Sequence, residues 1–167
     1  MAVKVWNVGD VLTAADMNAW TVPVAAYRTS TQSVTSSTTL VNDTQLSVAV
    51  AANAVYRVEL GMTYSADTAG DLKLGWTTPA GATIATAVTV GLSLTAAAAT
   101  DDVTVGASST PVFGGIGAGA NAALQYIFIL TTSSTAGTLQ LQWAQNTSSA
   151  TATTVNAGSY LIAQRIG

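Results

Sequence analysis

A chain of 167 residues with 49% hydrophobic but only 8% charged residues, against about 25% charged in ordinary soluble domains, has the length of one domain and little charge to keep copies apart. Its five basic residues, Lys4, Arg28, Arg57, Lys73 and Arg165, are scattered and the net charge is −3, which excludes a nucleic-acid footprint built on clustered cations. With no Cys and no His, disulfides, zinc-thiolate sites and the commonest general base are excluded too.

Residues 1–25 read as a separate arm. Val3, Val5 and Trp6 are extended in pattern, and Gly9-Asp10 is a turn. Thr13 is a good N-cap, with Asp16 three residues on, as in a capping box. Ala14, Ala15, Met17 and Ala19 favour helix until Val22-Pro23 stops it. A helix of about two turns is not stable alone, so Trp6, Val11, Leu12, Met17 and Trp20 need a surface to pack on. These five are the candidate docking residues.

Residues 26–167 read as strand, turn, strand. Leu46, Val48 and Val50 alternate after a turn signal at Asn42-Asp43. In AVYRVELGMTYS, residues 54–65, Val55, Arg57, Glu59 and Gly61 face one way and Tyr56, Val58, Leu60, Met62 and Tyr64 the other. Leu72, Leu74 and Trp76 keep one phase, and Pro79-Ala80-Gly81 turns the chain. Weaker strands follow at 83–94 and 102–105. Ala123 to Thr132 contains YIFIL and predicts a strand buried on both faces. In TLQLQWAQ, residues 138–145, Leu139, Leu141 and Trp143 point in, while Gln140, Gln142 and Gln145 point out. SYLIAQRI closes the series. The Thr/Ser tracts at 29–39 and 147–154 read as edge strands and loops. About eight to ten antiparallel strands with turn signals between them predict an all-β sandwich of the jelly-roll type, with a short helical arm in front.

Catalytic chemistry finds little support. The acids are Asp10, Asp16, Asp43, Glu59, Asp67, Asp71, Asp101 and Asp102. Glu59 alone lies mid-strand, placed to pair with a cross-strand base such as Lys73. Asp67 and Asp71 flank a turn and read as its caps rather than as calcium ligands. Gly114, Gly115, Gly117 and Gly119 lack the spacing of a phosphate loop. Trp76 and Trp143 share the phase of neighbouring leucines, so they read as core or subunit interface rather than as a sugar platform. No cofactor, metal or catalytic residue is expected. No apolar run approaches the roughly 20 residues of a membrane-spanning helix, and 7% aromatics offer little for the girdles of a membrane barrel. MAVKVW lacks the apolar core of a signal peptide, so synthesis in a cytosol is expected. Such a charge-poor surface suits a protein covered by copies of itself or by partners.

Two stretches resemble a known family. GDVLTAADMN, from Gly9 to Asn18, resembles a leader of the form G-[DE]-x-L-T-A-A-[DE]-[LM]-N in structural proteins of tailed bacteriophages. LVNDTQLSVAVAANAVYRVELGMTYSA, continuing into GDLKLGWTTPAGAT, resembles the globular part of similar virion proteins, and SYLIAQRI their last core strand. Together they span about half the chain; residues 83–122 match nothing of the kind. The resemblance implies a non-enzymatic virion component made in the host cytoplasm. It implies a homotrimeric jelly roll similar to the tumour-necrosis-factor and complement-head type, bound to another virion protein such as the major capsid protein or a tail protein. Head decoration, head fibre and minor tail protein are all compatible. Tyr56, Tyr64, Tyr126 and Tyr160 are the candidates for its trimer interface, each an amphipathic ring in a strong strand. The alternative is a receptor- or carbohydrate-binding sandwich module.

Overall fold

The computed structural model describes residues 7–11, 13–14, 22–92, 101–106 and 110–167. Its strands are β1 (Val24–Tyr27), β2 (Gln32–Val34), β3 (Val41–Val50), β4 (Val55–Ser65), β5 (Leu72–Thr77), β6 (Thr83–Leu92), β7 (Asp101–Gly106), β8 (Val112–Phe113), β9 (Ala122–Thr131), β10 (Gly137–Ala144), β11 (Thr153–Val155) and β12 (Tyr160–Arg165). One sheet runs β1-β12-β4-β9-β6-β7, with β11 joining β2 to β4; the other runs β3-β10-β5-β8. Setting aside the β6–β7 hairpin and the short β2–β11 pair leaves eight strands. Counted in chain order, they lie first-eighth-third-sixth in one sheet and second-seventh-fourth-fifth in the other, which is the jelly-roll arrangement. The Thr/Ser tracts do supply β2 and β11, paired through Thr153↔Val34 and Val155↔Gln32.

Period-two alternation builds the core. Tyr56, Val58, Leu60, Met62 and Tyr64 of β4 and Leu124, Tyr126, Phe128 and Leu130 of β9 point inward against Leu72 and Leu74 of β5 and Leu139, Leu141 and Trp143 of β10. Trp76 stacks on Tyr126 at 6.2 Å between ring centroids and tilts against Phe128 at 4.9 Å, geometry worth about 0.5–1.5 kcal/mol per pair beyond area burial. Both Trp76 and Trp143 thus serve the core, as their phase predicts.

The Asn42-Asp43 turn signal is realised inside a strand. The β3–β10 register passes from Asn42↔Gln142 to Ser47↔Gln140, so residues 43–46 bulge from β3. Asp43 Oδ1 holds the bulge by accepting from the amides of Gln45 (2.9 Å) and Leu46 (2.8 Å). Its Oδ2 accepts from Arg28 Nη1 at 2.5 Å and Trp143 Nε1 at 3.3 Å. Arg28 also donates to the Ser30 carbonyl and to Gln32. Both charged side chains are fully buried, and together they tie the segment after β1 to β3 and to the core tryptophan.

One expectation needs correcting. Gln145 is fully buried rather than outward: its amide accepts from the Ser37 and Ser149 amides and donates to the Thr151 carbonyl. The helical arm is represented among the described residues by Ala14 alone; Leu12 and residues 15–21 lie outside them. The arm's described residues, Asn7–Val11, Thr13, Ala14 and Val22–Ala25, are exposed, and the last two, Val24 and Ala25, already belong to β1 of the sandwich. Gly9, at φ +98°, closes the Gly9-Asp10 turn, with the Asp10 amide bonded to the Asn7 carbonyl.

Candidate assembly surface

The cross-strand register defines what the eight-stranded sheet shows to the outside. One row crosses it as Ala25, Ile162, Glu59, Ile127 and Val88; the next as Tyr27, Tyr160, Gly61, Gln125 and Val90; a third carries Gln164, Arg57, Ile129 and Ala85. Ile127, Ile129, Ile162, Val88 and Val90 are half-buried, and Tyr27 is 61% exposed. An outer sheet face is ordinarily polar; this one is largely aliphatic. The expectation that YIFIL is buried on both faces is therefore met on one face only within the protomer.

A polar cluster sits among these side chains. Glu59 Oε1 accepts from the Tyr160 hydroxyl and from Gln125 Nε2, each at 3.1 Å. Its Oε2 faces Arg57 Nη2 at 3.0 Å. The Tyr160 ring crosses from β12 to reach it and lies over Gly61, where a Cβ would stand 2.4 Å from the ring. Gly61 is thus the residue that lets the ring lie flat on the sheet. Burial raises the Tyr160 phenol pKa, and the hydrogen bond and charge of Glu59 raise it further. Glu59 does not pair with Lys73, which belongs to the other sheet and donates to the Thr38 carbonyl.

The four-stranded sheet shows a different outer face. Gln140 lies between Ser47 and Thr77, and Gln142 beside Asn42, to which it donates at 2.8 Å. That face is polar and mostly uncharged, so the two sides of the sandwich are chemically unlike.

The tyrosines predicted for an interface divide. Tyr64 and Tyr126 are fully buried and Tyr56 is 6% exposed, so these three face the protomer's own core. Tyr64 donates to the Gly114 carbonyl at 2.6 Å, and Tyr56 accepts from the Ala51 amide at 2.8 Å. Only Tyr160 lies on the outer face. Of the docking residues, Val11 is 78% exposed; Trp6, Leu12, Met17 and Trp20 lie outside the described residues. Ile127, Ile129 and Ile162 are not among the predicted interface residues, although the unbroken apolar run in β9 carries the signal for the first two.

Burial pushes the Tyr126 phenol up to about 12 and the Tyr64 phenol up as well, the latter helped by the Asp71 charge. Folded-state values above the ordinary tyrosine value mean that this contribution to stability is whole below pH ~10 and is lost as pH rises from there through ~12. The denaturation midpoint, followed against pH, is expected to hold up to about 10 and then fall. A fall complete by about pH 9 would contradict it.

The remaining acids hold loops. Asp67 accepts from the Ser149 hydroxyl at 2.7 Å and from the Gly70 amide; the Ser149 bond chiefly keeps its pKa low. Asp71 accepts from the Gly115 amide at 2.9 Å, and burial raises its pKa. At Gly115 a Cβ would stand 2.1 Å from the Asp67 carbonyl oxygen, so the glycine-rich loop lies directly against the backbone that follows β4. Among the described residues no group of three or more potential ligands gathers for a metal, and no helix is long and apolar enough to cross a membrane.

No family model and no curated relative matches the chain. Among solved structures, the chain is similar to one described as the tripod (BppUct-A-L) from the baseplate of bacteriophage Tuc2009. The identity is 13% and the TM-score 0.37, over 99% of this chain and 75% of that one. A likeness at that level does not carry function.

Proposed function

We propose that the chain is a non-enzymatic structural protein of a tailed-phage particle. It assembles as a homotrimer through the outer face of its eight-stranded sheet, and the segment before β1 attaches it to another virion protein such as the major capsid protein or a tail protein. The observation that carries the assembly is the aliphatic outer face of Ile127, Ile129, Ile162, Val88 and Val90. The resemblance of Gly9–Asn18 to phage leaders supports the attachment, as does the exposure of Val8 and Val11, at 109% and 78%. A non-catalytic role is supported by the acids: Asp43 is ion-paired, Asp67 and Asp71 hold loops, and Glu59 is bound by three donors. On a capsid, such a trimer spreads contact area over neighbouring subunits and raises the barrier to their unfolding.

Mass measurement in solution tests the assembly, with three copies per particle expected and a monomer at micromolar concentration overturning it. Deleting residues 1–22 is expected to leave a folded trimer that no longer binds phage particles; attachment at normal occupancy would overturn the docking role. A receptor- or carbohydrate-binding module is the second reading. It draws on Tyr27, 61% exposed and directly opposite Tyr160, and a glycan screen without hits removes it.

A further inference from the structure

We infer that Arg57, held by Glu59, sets the register in which a second copy of this chain meets the outer face; this rests on the assembly proposed above. Within the three rows that cross β1, β12, β4, β9 and β6, Arg57 and Glu59 are the only charged residues. They cancel, so a second copy meets no net charge across those rows although the chain carries −3.

The two members of the pair differ in what they still need. Glu59 is 19% exposed and receives three donors from its own protomer. Covering it removes little water, because its oxygens are already bonded. Arg57 is 45% exposed and engages Glu59 through Nη2, while a guanidinium has five N–H donors. Under a second copy, the remaining donors require oxygens supplied by that copy.

The surroundings make this requirement selective. Arg57 lies between Gln164 and Ile129, and Glu59 between Ile162 and Ile127. Aliphatic contact is non-directional and would allow neighbouring copies to slide or rotate past one another. A fixed guanidinium admits only placements that bring an acceptor to it, in the way a single polar residue fixes register and copy number in an apolar seam. Arg57 thereby acts on stoichiometry more than on affinity.

The test uses the full chain with Arg57→Met, Arg57→Lys and Glu59→Gln, read by native mass spectrometry and sedimentation, with circular dichroism checking the fold. Wild type is expected as a single trimeric species. Arg57→Met should associate at least as tightly but divide among several stoichiometries. Arg57→Lys, which keeps charge and loses the planar fork, should lose uniformity as well. Glu59→Gln leaves a covered guanidinium without its counter-charge and should weaken association by at least about tenfold. Uniform trimers of wild-type affinity from both Arg57 variants would overturn the registering role and leave the trimer standing. A monomeric wild type would overturn the assembly itself.

Discussion

Replacing Asp43 with Ala is expected to destabilise the fold by about 3–5 kcal/mol, a large part of the roughly 5–15 kcal/mol that holds a domain together. The carboxylate and the Arg28 guanidinium are both fully buried, so its removal leaves a cation in the sandwich without a counter-charge. The Trp143 indole N–H and the amides of Gln45 and Leu46 lose their acceptor in the same step. Among the described residues Arg28 Nη2 already has no partner, and no spare acceptor stands ready to take the place of the carboxylate. The denaturation midpoint at fixed protein concentration measures the loss. The double variant Arg28→Met with Asp43→Leu should lose less, because it buries no unpaired charge. It should not recover fully, since the bulge amides stay without their acceptor. A loss below about 1 kcal/mol for Asp43→Ala would place the pair with exposed salt bridges in energetic terms.

Elements with one buried face were legible from sequence. In β4, β5, β10 and β12 inward residues alternate with outward ones, and burial follows that phase apart from the small residues Ser65, Gly75 and Ala144, which are covered on the outward side, and the half-buried Trp76. Position relative to other strands was less legible. Asn42-Asp43 has the chemistry of a turn, and Asp43 does make the turn bonds, yet pairing with β10 on either side turns it into a bulge. Glu59 and Lys73 both sit mid-strand, but which sheet a strand joins depends on the whole topology. Gln145, one residue beyond β10, falls on the inward phase of Leu139, Leu141 and Trp143, and loop amides claim its side chain. Strand strength, the ground on which the tyrosines are candidates, carries no information about face. Tyr56 and Tyr64 share the phase of Val58 and Leu60, and that phase alone placed them inward. Strand β9 is the informative case. Its sequence is apolar on both faces, and the protomer covers only the Tyr126–Phe128 side completely.

Ile127→Lys is expected to reduce the trimer to single chains while leaving the protomer folded. Ile127 occupies the middle of its row, opposite Glu59 on one side and Val88 on the other. It is half-buried and lies on the face away from the core. A lysine there can keep its ammonium in water in the free protomer, so the loss of protomer stability should stay within about 1 kcal/mol. Under a second copy the same ammonium is desolvated against aliphatic side chains, and the Glu59 oxygens are already occupied. A charge at the centre of a covered patch costs at least about 2 kcal/mol per contact, or about thirtyfold in affinity, and a closed trimer repeats the contact three times. Gln140→Lys provides the comparison, since Gln140 lies outward on the polar four-stranded sheet between Ser47 and Thr77. Its mass in solution should equal that of wild type. If Ile127→Lys stayed trimeric and Gln140→Lys fell apart, the copies would be meeting through the four-stranded sheet. The aliphatic character of β9 would then require a different partner to cover it.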